Sequence, residues 1–343
     1  MQFKVDEPLY KQVAESLRRD IQARRFTGKV PGERELSQRY SVNFKTANKA
    51  VASLVNEGLL TRVKGKGTFV SRTKPTAALT LVGLSVSQLE NPYFSKSVRA
   101  IERAAARDGI SLMLHTPEDN GSVSLAFAKS LVARGAQGLV MQGNSIPAAI
   151  RKLNLAVAAF GAGEADCDFV CADVLSGARQ VVGHLVERFG PAVAYVGISH
   201  DARDERLAGY LEILKRAGVR PQKAWMPIGP NSYRGGYEAT KALLSKGQRP
   251  RAIFYFNDYM AMGGQRALAE AGLRVPKDIA VAGFDDSVDP NEMVVPTTSV
   301  LYSFEQTAEE LLSMLRRRVA NPKGPPERAT IAPMLRIRQS TSK

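Results

Sequence analysis

The chain of 343 residues is poor in sulfur and imidazole and has no long apolar run. Its only cysteines are Cys167 and Cys171, set in an apolar stretch without further Cys or His partners. Two thiols are too few for a structural zinc site, so both are expected as buried, reduced thiols. His115, His184 and His200 are isolated, and no His/Cys/Asp set has catalytic spacing. A P-loop and a Gly-x-Ser-x-Gly elbow are also missing. No catalytic residue, metal or cofactor is therefore expected. No stretch of about 18 apolar residues is present to span a bilayer. The opening Met-Gln-Phe-Lys-Val-Asp-Glu-Pro lacks the apolar core of a signal peptide, so a cytoplasmic location is expected.

Acidic residues are also short, and unevenly so. The net charge is +15, and residues 1–75 carry 16 Lys/Arg against 7 Asp/Glu, or +9 of that excess. The rest of the chain carries the other +6. A positive field concentrated in the first fifth of the chain suits a polyanion such as DNA.

Apolar Leu9, Val13, Leu17 and Ile21 recur every four residues, which predicts an amphipathic helix over 9–25. A short helix fits Glu33 to Tyr40, followed by a tight turn at Ser41-Val42. A third helix fits Phe44 to Asn56, capped by Asn43 and stopped at Gly58. Ala47, Ala50, Val51 and Leu54 form its apolar stripe, opposite Phe44, Lys45, Asn48 and Lys49. Two strand-like runs, Leu59–Val63 and Thr68–Val70, flank Lys64-Gly65-Lys66-Gly67 and predict a basic hairpin. Three helices and a hairpin make a winged helix-turn-helix (α+β) over residues 1–72. Residues 73–78 read as a linker.

From residue 79 the texture changes. Strand-length apolar runs recur at Leu79–Val86, Ser111–His115, Gly138–Met141, Ala156–Phe160, Phe169–Ala172, Val193–Val196, Ala252–Phe256 and Ile279–Phe284. Helical stretches such as Ser95–Asp108, Gly177–Phe189 and Met260–Ala271 separate most of them. The alternation predicts an α/β domain with parallel sheets covered on both faces. The segment 79–343 is long for one sheet and suits two lobes, with a ligand between them at the carboxyl ends of the strands.

The first block resembles the GntR family of bacterial regulators. Pro8-Leu9-Tyr10, Val30-Pro31-Gly32-Glu33-Arg34-Glu35-Leu36-Ser37, Glu57-Gly58-Leu59-Leu60 and Gly65-Lys66-Gly67-Thr68-Phe69-Val70 carry the likeness. The resemblance implies that Arg34, Asn43, Phe44, Lys45, Thr46 and Asn48 face the major groove. It implies that Lys64, Gly65 and Lys66 reach the minor groove or the phosphates. Many members have Arg where this chain has Phe44 and Asn48. Phe contacts a thymine methyl and Asn pairs with adenine, so a different operator is expected.

The remainder resembles the sensor domain of the LacI/GalR family, a fold similar to periplasmic sugar-binding proteins. Asn91-Pro92-Tyr93-Phe94, Arg206-Leu207-Ala208-Gly209-Tyr210, Asn257-Asp258 through Gly263, Gly272 through Asp286 and Pro296-Thr297-Thr298 carry it. The expected lobes are about 79–175 with 302–328, and 176–301 with 329–343. A GntR-type reader on a LacI-type sensor resembles the arabinose-repressor type of regulator, without the hinge helix usual in LacI-type proteins.

The resemblance implies that Asp258 and Arg206 bind ligand hydroxyls, that Asn231 adds an amide, and that Tyr93, Phe94, Phe160 and Phe304 stack on a ring or wall the cleft. Alternatives stay open. Arg206 and Asp258 could form an inter-lobe ion pair, Phe160 could be core, and Asp285 is read as shaping its strand-end turn. A polar Asn231, where purine sensors usually carry an aromatic, favours a sugar. The expected partners are operator DNA, a mono- or disaccharide and a second copy of the chain. An aminotransferase fusion would need a longer C-terminal part with other motifs, and an exported solute-binding protein would need a signal and would lack the basic head.

Overall fold

The computed structural model describes residues 8–22, 25–26, 28–56, 59–63, 67–70, 79–117, 123–201, 203–245, 247 and 249–342. It divides into two compact units. One comprises residues up to Leu79 with Arg316–Pro322; the other comprises Thr80–Leu315 with Lys323–Lys343.

In the first unit, α1 (Leu9–Gln22), α2 (Glu33–Arg39) and α3 (Phe44–Asn56) precede a hairpin of β1 (Leu60–Val63) and β2 (Gly67–Val70). The four-residue apolar spacing of α1 buries Val13 and Leu17 against Ala47, Ala50, Val51 and Leu54 of α3. Asn43 starts α3 as an N-cap. Its Oδ1 accepts from the Thr46 N–H at 2.7 Å. Ser41, with φ 54°, makes the left-handed turn between the last two helices. Asp20 of α1 ties in α2, accepting from Tyr40 Oη at 2.9 Å, Arg25 Nη1 at 2.9 Å and Arg39 Nη2 at 3.3 Å. β1 and β2 pair antiparallel from Leu60↔Val70 to Val63↔Gly67. Lys64, Gly65 and Lys66, at the expected tip, lie outside the described residues, as does the expected linker 73–78.

The second unit holds two parallel sheets. The larger contains β3 (Leu81–Ser85), β4 (Ser111–His115), β5 (Gly138–Gln142), β6 (Ala156–Gly161), β7 (Asp168–Ala172) and β12 (Arg328–Ile331), in the order β12-β7-β6-β5-β3-β4. The smaller contains β8 (Val193–Val196), β9 (Ala252–Tyr255) and β10 (Ala280–Ala282), in the order β10-β9-β8. An antiparallel pair, β11 (Ser299–Leu301) with β13 (Met334–Arg336), adjoins β10 through the bridge Ala282↔Thr298. The helices are α4 (Pro92–Arg107), α5 (Leu125–Ala133), α6 (Ala148–Arg151), α7 (Val174–Phe189), α8 (Glu205–Arg216), α9 (Tyr233–Ser245), α10 (Asp258–Glu270) and α11 (Phe304–Ala320).

Both lobes have their own core. Phe127, Leu131, Leu139 and Phe169 lie at the centre of one, and Ile253, Tyr255, Leu268 and Val281 at the centre of the other. All eight runs seen in the sequence are strands, most of them buried on both faces and so read as continuous apolar runs, with β4 a more exposed edge strand. One boundary needs correction. Residues 329–331, expected in the second lobe, pair in parallel with β7 in the larger sheet. This edge strand, Arg-Ala-Thr-Ile, is mostly exposed and carries no apolar run to reveal it. The chain crosses between lobes after β7, between β11 and α11, and between β12 and β13.

Candidate ligand cleft and DNA-reading face

Within the second unit, the strand ends of the two lobes face a cavity of about 330 Å³. Tyr93, Phe94, Phe160, Arg206 and Asn231 line it, as the sequence suggests. So do Asn91, Gln142, Phe256, Asn257, Asp285 and Tyr302, which were not assigned to the site.

Arg206 is fixed from three sides. Asp204 caps α8 by accepting from the Arg206 N–H at 3.0 Å. The guanidinium lies 4.3 Å from the Phe256 ring centroid and 4.4 Å from that of Phe284, within cation–π range of both. Its Nη2 donates to Asp285 Oδ1 at 2.9 Å, while Nε has no protein partner. The side chain is only 13 % exposed. Burial opposes its charge, but the carboxylates of Asp285 and Asp204 outweigh burial and hold its pKa above the usual value. Burial pushes the Asp285 carboxyl up, against the pull of Arg206.

Three amides of the cavity lining are anchored by the protein. Asn91 caps α4, accepting from the Tyr93 N–H at 3.1 Å, and its buried Nδ2 has no partner. Asn257 caps α10 and donates through Nδ2 to Asn231 Oδ1 at 2.8 Å. That contact leaves the Asn231 amide N–H groups as donors. Gln142 accepts from Ser87 N at 3.2 Å and Oγ at 2.9 Å. Tyr93 meets Phe94 edge-on at 5.1 Å, forming an aromatic wall.

Two expected contacts are placed elsewhere. Asp258 is 3 % exposed and does not line the cavity. As the first residue of α10 it turns inward, where Oδ2 accepts from the Ser287 N–H at 2.8 Å and Oδ1 has no hydrogen-bond partner. Burial pushes its carboxyl up to about 8. The alternative of an ion pair between Arg206 and Asp258 is not what the structure shows: Arg206 pairs with Asp285, just after β10. Asp285 and Asp286 both have positive φ, 85° and 49°. Such backbone strain persists where the surroundings fix it. Here it aims one carboxylate at the cleft and the other at Arg338. Phe304 lines a smaller hollow behind Tyr93, its ring 5.6 Å from the Tyr93 ring.

In the first unit, Arg34, Asn43, Phe44 and Lys45 are exposed and Thr46 and Asn48 half-buried. Phe44 is 50 % exposed, unusual for a phenyl ring that only packs. Asn43 spends its oxygen on the helix cap. Arg62, missed in the sequence, joins this face from β1 by donating to Glu33 and Asn48. No alternation or motif marked it, because the contact depends on the hairpin folding back.

Residues 9–70 match the model of the bacterial regulatory proteins of the gntR family, and residues 182–341 match that of the periplasmic binding protein-like domain. The chain joins a GntR-type DNA-binding domain to a periplasmic-binding-protein-like domain. It is 26 % identical over 283 residues to the HTH-type transcriptional repressor PurR of Mannheimia succiniciproducens, covering 80 % of this chain and 85 % of that one. It is 27 % identical over 268 residues to the ribose operon repressor of Escherichia coli K12, covering 76 % and 81 %. Among solved structures, it resembles a transcriptional regulator CelR–cellobiose complex with a TM-score of 0.67 and 23 % identity, covering 87 % of this chain and 91 % of that one. This combination is that of a ligand-controlled, DNA-binding transcription regulator. Among the described residues, no helix is long and apolar enough to cross a membrane.

Proposed function

We propose that the protein is a cytoplasmic, homodimeric repressor of the arabinose-repressor type. A sugar bound between the lobes of the second unit sets the affinity of the GntR-type domain for its operator. The observation that carries this reading is the immobilised Arg206, paired with Asp285 and flanked by Phe256 and Phe284, in a cavity lined by amides and aromatic rings. Fixed donors and acceptors suit a ring of hydroxyls, and aromatic faces suit the C–H patches of a pyranose or furanose. Arabinose- and ribose-sized sugars and disaccharides are the first candidates. The same flat walls suit a nucleobase, which is the second reading.

A thermal-shift panel of monosaccharides, disaccharides, sugar phosphates, nucleosides and purines separates the two. A ligand at about 100 times its dissociation constant adds roughly 2.7 kcal/mol to the folded state. A shift with one neutral sugar supports the reading. Shifts confined to purines or nucleosides overturn the sugar assignment.

A further inference from the structure

Arg62 lies on β1 and its side chain is 45 % exposed. Its Nη2 donates to Glu33 Oε1 of α2 at 2.9 Å and to Asn48 Oδ1 of α3 at 2.7 Å. A guanidinium has only donors, so the Asn48 amide must turn its oxygen toward it. An asparagine reads adenine with oxygen and nitrogen together, accepting from N6 and donating to N7. The Asn48 oxygen is already engaged. Arg62 offers outward only donors, the N–H groups not turned to Glu33 or Asn48, and the Asn48 Nδ2 adds another beside an oxygen that keeps one lone pair. In the major groove, guanine presents acceptors alone at O6 and N7. The Glu33 carboxylate restrains the guanidinium before DNA arrives, which lowers the ordering cost of binding.

We propose that Arg62 is a base-reading residue that selects guanine in each operator half-site, with Asn48 and Glu33 holding it in place. This rests on the DNA-binding function proposed above. It replaces the expectation that Asn48 reads adenine by itself.

The test is selection of binding sites from a random duplex library by the full chain and by Arg62→Ala, Arg62→Gln, Asn48→Ala and Glu33→Gln. The parent is expected to enrich a motif with a guanine position that both Arg62 variants lose while the rest of the motif remains. Arg62→Ala is expected to bind the parent's consensus about 5- to 150-fold more weakly. Asn48→Ala is expected to weaken the same guanine position. Glu33→Gln is expected to keep the guanine with a smaller loss. Arg62→Gln keeps a long polar side chain whose amide matches adenine rather than guanine, so it reports on base reading even where the alanine variant fails to fold. Persistence of the guanine preference in Arg62→Gln overturns the proposal. Uniform weakening across all sequences, with a salt slope lower by about one, also overturns it and leaves a phosphate contact. Loss of an adenine position in Asn48→Ala alone overturns it as well. A parent pool with no enriched motif instead contradicts the DNA-reading function itself.

Discussion

Arg206 of α8 and Asp285, just after β10, are joined by a 2.9 Å hydrogen bond that holds the only guanidinium lining the cleft, among the described residues, between two phenyl rings. The pair is both part of the site and part of its support. Removing one partner leaves the other buried without its counter-ion, which costs about 3–5 kcal/mol.

Arg206→Ala is therefore expected to abolish the ligand-induced thermal shift and to destabilise the second unit by about 3 kcal/mol. Protonation of Asp285, already favoured by burial, softens the loss in acid. Binding of the selected operator DNA without ligand should be retained. Calorimetric titration of ligand against the variant checks this, and unchanged affinity removes Arg206 from the site.

Lys96 of α4 donates to the Asp286 backbone oxygen at 3.3 Å, linking the lobes beside the cleft. A charge-assisted hydrogen bond contributes about 1.5–3 kcal/mol. Lys96→Met should weaken ligand binding about tenfold by removing this link between the lobes beside the cleft. Its affinity for operator DNA in the absence of ligand should stay within about twofold of the parent. Equal ligand affinity in variant and parent contradicts a linking role for Lys96.

Asp258 carries a pH dependence. Its carboxyl is raised from 3.8 to about 8 by burial. The folded state keeps a proton that the unfolded chain releases above about pH 4. Stability present below that pH therefore falls as pH rises toward 8, by up to about 1.4 kcal/mol per unit, and levels off above it. Asp258→Asn removes this titration. Melting temperatures measured from pH 5 to 9 should show a shallower decline in the variant. Identical slopes rule Asp258 out as the source.

In the first unit, Asp20→Ala strips the buried Tyr40 hydroxyl of its acceptor and frees Arg25 and Arg39. An unsatisfied buried donor costs about 1–3 kcal/mol. Chemical denaturation should show that loss, with the ligand-induced shift intact. A loss below about 0.5 kcal/mol, the range of ordinary surface substitutions, would show that water replaces the carboxylate.

The sequence exposed most of the fold because its signals are local. Runs such as Val193–Val196 and Ala252–Tyr255 are apolar because their strands are buried on both faces. β12 escaped because its Arg-Ala-Thr-Ile carries no apolar run. The site was less legible. Arg206 and Asn231, proposed by resemblance, line the cavity; Asp258 does not, and Asp285 does. At such a spacing only the backbone decides: capping by Asn257 turns Asp258 inward, and positive φ at Asp285 turns that carboxylate toward the cleft. Asn91 was quoted for its motif and not for the cavity it lines, since its orphaned Nδ2 is visible only in three dimensions. Arg62 depends on a hairpin folding onto α3, a contact that periodicity does not encode.

The most direct test of the account is the affinity of the full chain for its selected operator duplex, measured by fluorescence anisotropy with and without the sugar that shifts its melting temperature. Coupling of about 1–3 kcal/mol predicts a roughly 5- to 150-fold change, lost in Arg206→Ala. A sugar that binds the cleft tightly while operator affinity stays the same would contradict ligand control of DNA binding.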